Sequence, residues 1–217
     1  IQRGVSPDLK EAFIVSNDVI GKFSLEENKI KPTMTGGIHV KKYHIDYPDL
    51  YIIYTTRKDD FKGIPNICKY IEQYKNQITC SEVREGKHPI YSLHRPRKEH
   101  IFLKEEKIIG VITEDEIVVA LDNKQTYVTD GLYLFGLKEN YNLHYIISIL
   151  NSKLYTFIYR LLALEEGRVL SQVKPAILNE LPIYTIDIND KLELEYYNKL
   201  ISLSIEITNI KERLKET

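Results

Sequence analysis

Hydrophobic positions change their spacing several times along this chain, and each change marks an element. Ala12 to Ser16 is short, apolar and β-branched, which predicts a strand. From Asn28 to Ile45 the pattern is irregular, and Pro32 with the pair Gly36-Gly37 breaks any helix there. Tyr51 to Thr56 is an apolar run without alternation, so a central strand buried on both faces is expected. Ile64, Ile67, Cys68, Ile71, Tyr74, Lys75 and Ile78 then return at helical spacing, with Pro65 fit for the first turn. A loop rich in glycine, proline and charge runs from Ser81 to Glu99. Strands are predicted at Lys107 to Ile112, Ile117 to Leu121 and Gly131 to Leu137, the first two divided by the acidic turn Thr113 to Glu116.

Asn142 to Leu164 reads as helical. Asn142 is fit to cap it, and Leu143, Ile146, Ile147, Leu150, Leu154, Phe157, Ile158 and Leu161 form its apolar face. Asn151-Ser152 lies inside as a point of interruption. Pro175 to Leu178 leads into an extended segment, Leu181 to Tyr184. Finally Tyr196, Leu200, Leu203, Ile207, Ile210 and Leu214 make a heptad seam. The order of elements predicts an α+β fold: a mixed β-sheet with flanking helices over residues 1–186, then a C-terminal helical arm over 187–217. Three heptads are short for an autonomous coiled coil. Either the seam packs back on its own domain, or it is a spacer helix that joins another domain, a partner or a second copy.

Composition narrows the class. With 217 residues, 43% hydrophobic and 28% charged, the chain suits one large domain or a domain with an appendage. No apolar run approaches the ~18 residues of a membrane span. Cys68 and Cys80 make no disulfide framework, and without a CxxC or HxxxH spacing a structural zinc site is not expected. A reducing cytoplasm is the expected compartment. The chain starts at Ile1 and reads as a piece of a longer polypeptide. Its 16 tyrosines, with no tryptophan, suit wet interfaces as well as cores, or reflect a Lys/Tyr/Ile-rich proteome.

Catalytic signatures are missing. There is no GxGxxG, no GxxxxGK[ST] and no GxSxG, and neither a glycine-rich S-adenosylmethionine turn nor an NPPY-type tetrapeptide. Glu105-Glu106-Lys107 contains an E-x-K of the kind metal-dependent nucleases use, but with no Asp on a preceding strand it reads as an exposed, charged strand entry. A formal net charge of −1 excludes a whole-chain electrostatic case for nucleic acid. The charge is nonetheless uneven. Lys29, Lys31, Lys41 and Lys42 share a segment without acids. Arg84, Lys87, Arg95, Arg97, Lys98, Lys104 and Lys107 outnumber Glu85, Glu99, Glu105 and Glu106, with His88, His94 and His100 among them. Val111 to Asn140 is acidic. Basic loops on a strand scaffold suit phosphate contact, and their arginines suit guanine edges. A solvated charged surface is the plainer alternative, as a satisfied structural histidine is for each His.

The ordered set of segments resembles the TaqI-like C-terminal specificity domain, the target recognition domain of adenine-specific DNA methyltransferases and fused restriction-modification enzymes. The matching pieces are GVSPDLKEAFIV (Gly4 to Val15), IKPTMTGGIHVKKY (Ile30 to Tyr43), YIIY (Tyr51 to Tyr54) and IPNICKYIEQYKNQI (Ile64 to Ile78). They continue with YSLHRPR (Tyr91 to Arg97), KII (Lys107 to Ile109), IISILNSKL (Ile146 to Leu154) and LPIY (Leu181 to Tyr184). The second block lacks the family's Asp, and Tyr51 and Tyr91 stand where tryptophan is common.

The resemblance implies a module that binds double-stranded DNA beside an N-terminal methyltransferase domain of the same polypeptide. It implies no cofactor in this piece, with S-adenosylmethionine held by the parent enzyme. Phosphate contacts are expected from Lys31, Lys41, Lys42, Lys87 and Lys98. Base or mixed contacts are expected from Arg84, His94, Arg95 and Arg97, then Tyr43 and Arg57. Arg168, Gln172 and Lys174 form a third candidate edge. The alternative from another class is a protein-interaction or scaffold module of a phage-defence complex.

Overall fold

The computed structural model describes residues 1–136, 141–163 and 172–215. Among them, two four-stranded sheets carry the α+β architecture. The first is antiparallel and runs Gln2–Arg3, Leu132–Phe135, Lys107–Val111, Val119–Asp122. Its side chains alternate between two hydrophobic cores. Ile109, Val111, Ala120, Leu132 and Leu134 enter one core, and Ile108, Val119, Tyr133 and Phe135 enter the other. Burial on both faces explains why these strands read as continuous apolar runs. Gly110 lies opposite Tyr133, and a Cβ there would come within 2.3 Å of the tyrosine ring.

The second sheet orders Ile14–Val15, Tyr51–Ile53, Ile30–Met34 and Tyr127–Val128, the last pair parallel. Tyr51–Ile53 is central, as its uninterrupted apolar run predicts, and Ile52 and Ile53 are fully buried. The strand expected from Ala12 to Ser16 is shorter. Ala12 and Phe13 close a helical turn, Lys10–Phe13, and only Ile14–Val15 pairs. Helix Pro65–Glu72 covers this sheet with Ile67, Tyr70 and Ile71.

The long apolar segment after Asn142 becomes two helices, Leu143–Leu150 and Lys153–Ala163, broken at Asn151-Ser152. Asn142 Oδ1 accepts from the Tyr145 amide at 3.1 Å, the expected cap. Asn151 is buried at the break. Its amide side chain accepts from the Val119 amide at 3.0 Å and donates to the Val119 carbonyl at 2.9 Å. The side chain thus completes the backbone pairing at Val119 and ties the helices to the first sheet.

The break also resets the helical phase. Tyr155, Thr156 and Tyr159 turn inward, while Leu154, Phe157 and Leu161, expected on the buried face, stand exposed. Pro175–Leu178, expected to lead an extended segment, is a short helix with proline in its first turn.

Helix Lys191–Lys215 lies back on the domain through Tyr197, Leu200, Ile201 and Ser204. The Tyr145 and Tyr197 rings lie 4.8 Å apart, and Lys211 Nζ donates to the Lys42 carbonyl at 2.8 Å. Of the heptad seam, Leu200 joins the packed stripe, but most of the seam does not. Tyr196 and Leu214 stay 61% and 69% exposed, and Leu203 and Ile210 are also on the open side. The period is helical as expected, but buried Ser204 shows that the contact runs one step round the helix.

Candidate nucleic-acid interface

The loop after Tyr91 reaches the amino terminus by backbone pairing. Ser6 and Arg95 form an antiparallel bridge, with amide-to-carbonyl bonds of 3.1 and 3.0 Å in the two directions. Arg97 takes a positive φ of 67° and donates from Nε to the Gly4 carbonyl at 3.0 Å. Asp130 closes the group: it accepts from Ser6 Oγ at 3.2 Å and lies 3.7 Å from Lys10 Nζ. Burial first, then the charges of Arg95 and Arg3, push the Arg97 guanidinium below its usual range, with Asp130 opposing. Four cations, Arg3, Lys10, Arg95 and Arg97, thus gather around one carboxylate. Arg3, Lys10 and Arg95 are exposed.

The rim continues through Gly131, whose Cα side faces the Thr35 carbonyl and Gly36 at 3.8–3.9 Å from an ideal Cβ position. There it meets the Gly36-Gly37 loop and the hairpin of Val40–Lys41 and His44–Ile45. Gly37 packs so closely on Val111 that a Cβ would lie 2.4 Å from a Val111 methyl. Lys41 and Ile38 are exposed on this hairpin side. Lys42 turns away from it. Its ammonium donates to Glu116 at 2.7 Å and to the Asn151 carbonyl at 3.1 Å. Tyr43, at φ 68°, packs against the second core, and burial raises its phenol pKa.

A second cluster lies around Glu82. Arg57 ion-pairs with Glu82, and His88 and His94 pack ring edge to face at 6.0 Å. His88 is buried; its Nε2 donates to the Ser92 carbonyl at 3.0 Å, while Nδ1 has no partner among the described residues. Lys87 pairs with Glu85 at 2.5 Å, and Arg84 is exposed. Lys98 is exposed, its backbone exchanging hydrogen bonds with the Gln2 side chain. Lys31 is half-buried on strand Ile30–Met34. Gln172 accepts at its carbonyl from Tyr159 Oη at 3.0 Å, and the Lys174 amide donates to that same hydroxyl at 2.7 Å. Arg168 falls outside the described residues.

The E-x-K element is not a catalytic edge. Lys107 is fully buried, ion-paired with Asp122 and donating to the Phe102 carbonyl at 2.9 Å. Asp122 also accepts from the Thr126 amide and hydroxyl. An ammonium sealed in this way cannot position an attacking water, so Glu105 and Lys107 do not form a nuclease site. Expectation from sequence missed Arg3, Ser6, Lys10 and Asp130. They carry no local signal, because only the Ser6–Arg95 bridge and the Gln2–Leu134 pairing bring them to the RPR loop.

The sequence profile of the TaqI-like C-terminal specificity domain family matches residues 31–183. The chain belongs to that family. Its fold is similar to that in the DNA-bound structure of the Type IIL restriction-modification enzyme MmeI, with a TM-score of 0.70 and 10% identity. That match covers 98% of this chain and 28% of the MmeI chain. No curated protein matches the chain. Family and fold define a specificity domain, a DNA-recognition module of the kind restriction-modification enzymes carry.

Proposed function

We propose that this chain selects the DNA site for a restriction-modification enzyme of which it is a part, and performs no chemistry itself. The observation that carries this reading is the rim around Asp130-Gly131. There Arg3, Lys10, Arg95, Arg97 and Lys41 come from segments far apart in sequence to form one cationic face. Phosphates are the natural partners of its exposed ammonium groups, and base edges those of its arginines.

We assign phosphate contacts to Lys10, Lys31, Lys87 and Lys98, and base or mixed contacts to Lys41, Arg84, His94, Arg95 and Arg97. Lys42, Tyr43 and Arg57 are spent on internal partners and serve to hold the loops. Gln172 and Lys174 stand by the second core as a separate edge. The rest of the enzyme supplies an N-terminal methyltransferase domain that uses S-adenosylmethionine, flips an adenine from the duplex and methylates its amino group, in the cytoplasm.

The test is selection from a randomised duplex pool across a salt series, with sequencing of the bound fraction. An enriched motif and a steep salt dependence are expected. The exposed stripe Leu154, Phe157 and Leu161 favours a second reading, an interaction module. That reading predicts no DNA binding at low salt.

A further inference from the structure

Between the glycine loop and the acidic turn lies a cleft of about 430 Å³, lined by Gly36, Gly37, Ile38, Lys41, Thr113, Glu114 and Gly131. It opens on the cationic rim, because Gly131 follows Asp130 directly and packs on Gly36. The acidic turn is anchored at two of its three carboxylates. Glu116 pairs with Lys42 at 2.7 Å, and Asp115 lies 3.9 Å from Arg160 Nη2 while its carbonyl accepts from the same guanidinium at 2.9 Å. Glu114 makes no hydrogen bond or ion pair with another described residue, and neither does the Lys41 ammonium.

We propose that this cleft reads one C·G base pair in the major groove, with Glu114 accepting from the cytosine N4 amine and Lys41 donating to guanine O6 and N7. The inference rests on the DNA-recognition reading above and deepens it. A carboxylate beside a phosphate-binding rim is repelled by the duplex backbone, so it is unfavourable there unless a base donates to it. Cytosine offers the major groove a lone amine donor, and its guanine partner offers two acceptors. One free acceptor and one free cation lining a single cleft match that pattern. Adenine fits less well, since its N7 acceptor sits beside the amine and faces the carboxylate. The glycines at the cleft lack side chains that would hold the backbone away from the base edge. The fixed position of the turn, pinned through Lys42 and Arg160, keeps Glu114 in register.

The experiment is pool selection with the whole chain as wild type, Glu114→Ala, Lys41→Ala and the exchange variant Glu114→Lys with Lys41→Glu. Wild type should enrich a motif with an invariant C·G pair. Glu114→Ala should lose the preference at that pair alone by roughly tenfold or more, while its binding to random DNA stays equal or tightens. The exchange variant should prefer G·C at the same position. An unchanged motif for Glu114→Ala, with tighter binding to all sequences, would make Glu114 a merely repelled surface acid and overturn the inference, leaving the recognition reading intact. A wild-type chain that binds without any motif overturns it as well. Absence of wild-type binding at low salt overturns the recognition reading and this inference together.

Discussion

Single side chains divide into those spent inside the protein and those left for a ligand. Lys42 and Lys107 are both cations in basic segments, yet one is tied to Glu116 and the other sealed against Asp122. Arg95 is exposed, and among the described residues it is anchored through its backbone alone. Arg95→Ala should therefore leave folding intact and weaken cognate DNA by about 1–3 kcal/mol, with relaxed preference at one position. Equal losses on cognate and random duplexes, measured by competition binding, would remove its base-reading role. His88 gives a pH prediction. Burial lowers its imidazole pKa from the ordinary 6.5, and protonation would leave Nδ1–H without an acceptor. Below about pH 6.5 the unfolded chain then binds more protons than the folded one, so stability falls as pH drops through that window. Burial shifts His144 in the same direction. The denaturant midpoint should decline from about pH 7 to about pH 5, and His88→Gln should make that decline shallower.

Elements are joined by a small number of polar contacts in otherwise apolar seams. Asn151 is the clearest case, because its amide completes the hydrogen bonding of Val119 in the first sheet. Asn151→Ala removes the acceptor of the buried Val119 amide, whereas the Val119 carbonyl keeps the Tyr43 amide as a donor at 3.1 Å. An orphaned buried amide costs about 1–3 kcal/mol, so urea unfolding should show stability lowered by about that much, without loss of DNA sequence preference in the protein that remains folded. A changed motif at full stability would instead make Asn151 a base contact. The C-terminal helix shows how an element's period and its phase separate. Spacing alone predicts a seam through Tyr196, Leu200, Leu203, Ile207, Ile210 and Leu214, yet the packed face is Tyr197, Leu200, Ile201 and Ser204, which shares only Leu200 with it. Buried Ser204 accounts for the difference, since a polar residue at that position cannot be read as core from hydropathy. It is set there by His144 Nδ1 at 3.3 Å and by the close approach of helix Leu143–Leu150.

Across the whole molecule, a net charge of −1 coexists with a cationic rim because Asp130 and Glu116 are held in ion pairs there, leaving Glu114, among the described residues, as the unpaired acid beside it. Affinity for DNA should fall steeply with salt despite that neutral total. Each phosphate contact contributes a slope of about 0.9 in log–log form, so Lys10→Ala or Lys98→Ala should each lower the slope by about one. A slope unchanged in both variants would place the phosphate track on another face.

The sequence by itself determined the secondary-structure inventory where one physical rule acts locally. The uninterrupted apolar strands, the Asn142 cap, the proline-led helix and the break at Asn151-Ser152 are all written in neighbouring residues, as is the family through the order of its segments. It also exposed the two basic loops. Only the tertiary structure decided which of their cations are free, because ion pairing such as Lys42 with Glu116 or Lys107 with Asp122 joins residues far apart in the chain. It likewise decided that Arg3 and Lys10 stand beside Arg95 and Arg97, and that Glu114 and Lys41 line one cleft. Hydropathy is a property of each residue and its neighbours, whereas charge neutralisation and the assembly of a recognition face depend on contacts that exist only once the sheets have paired.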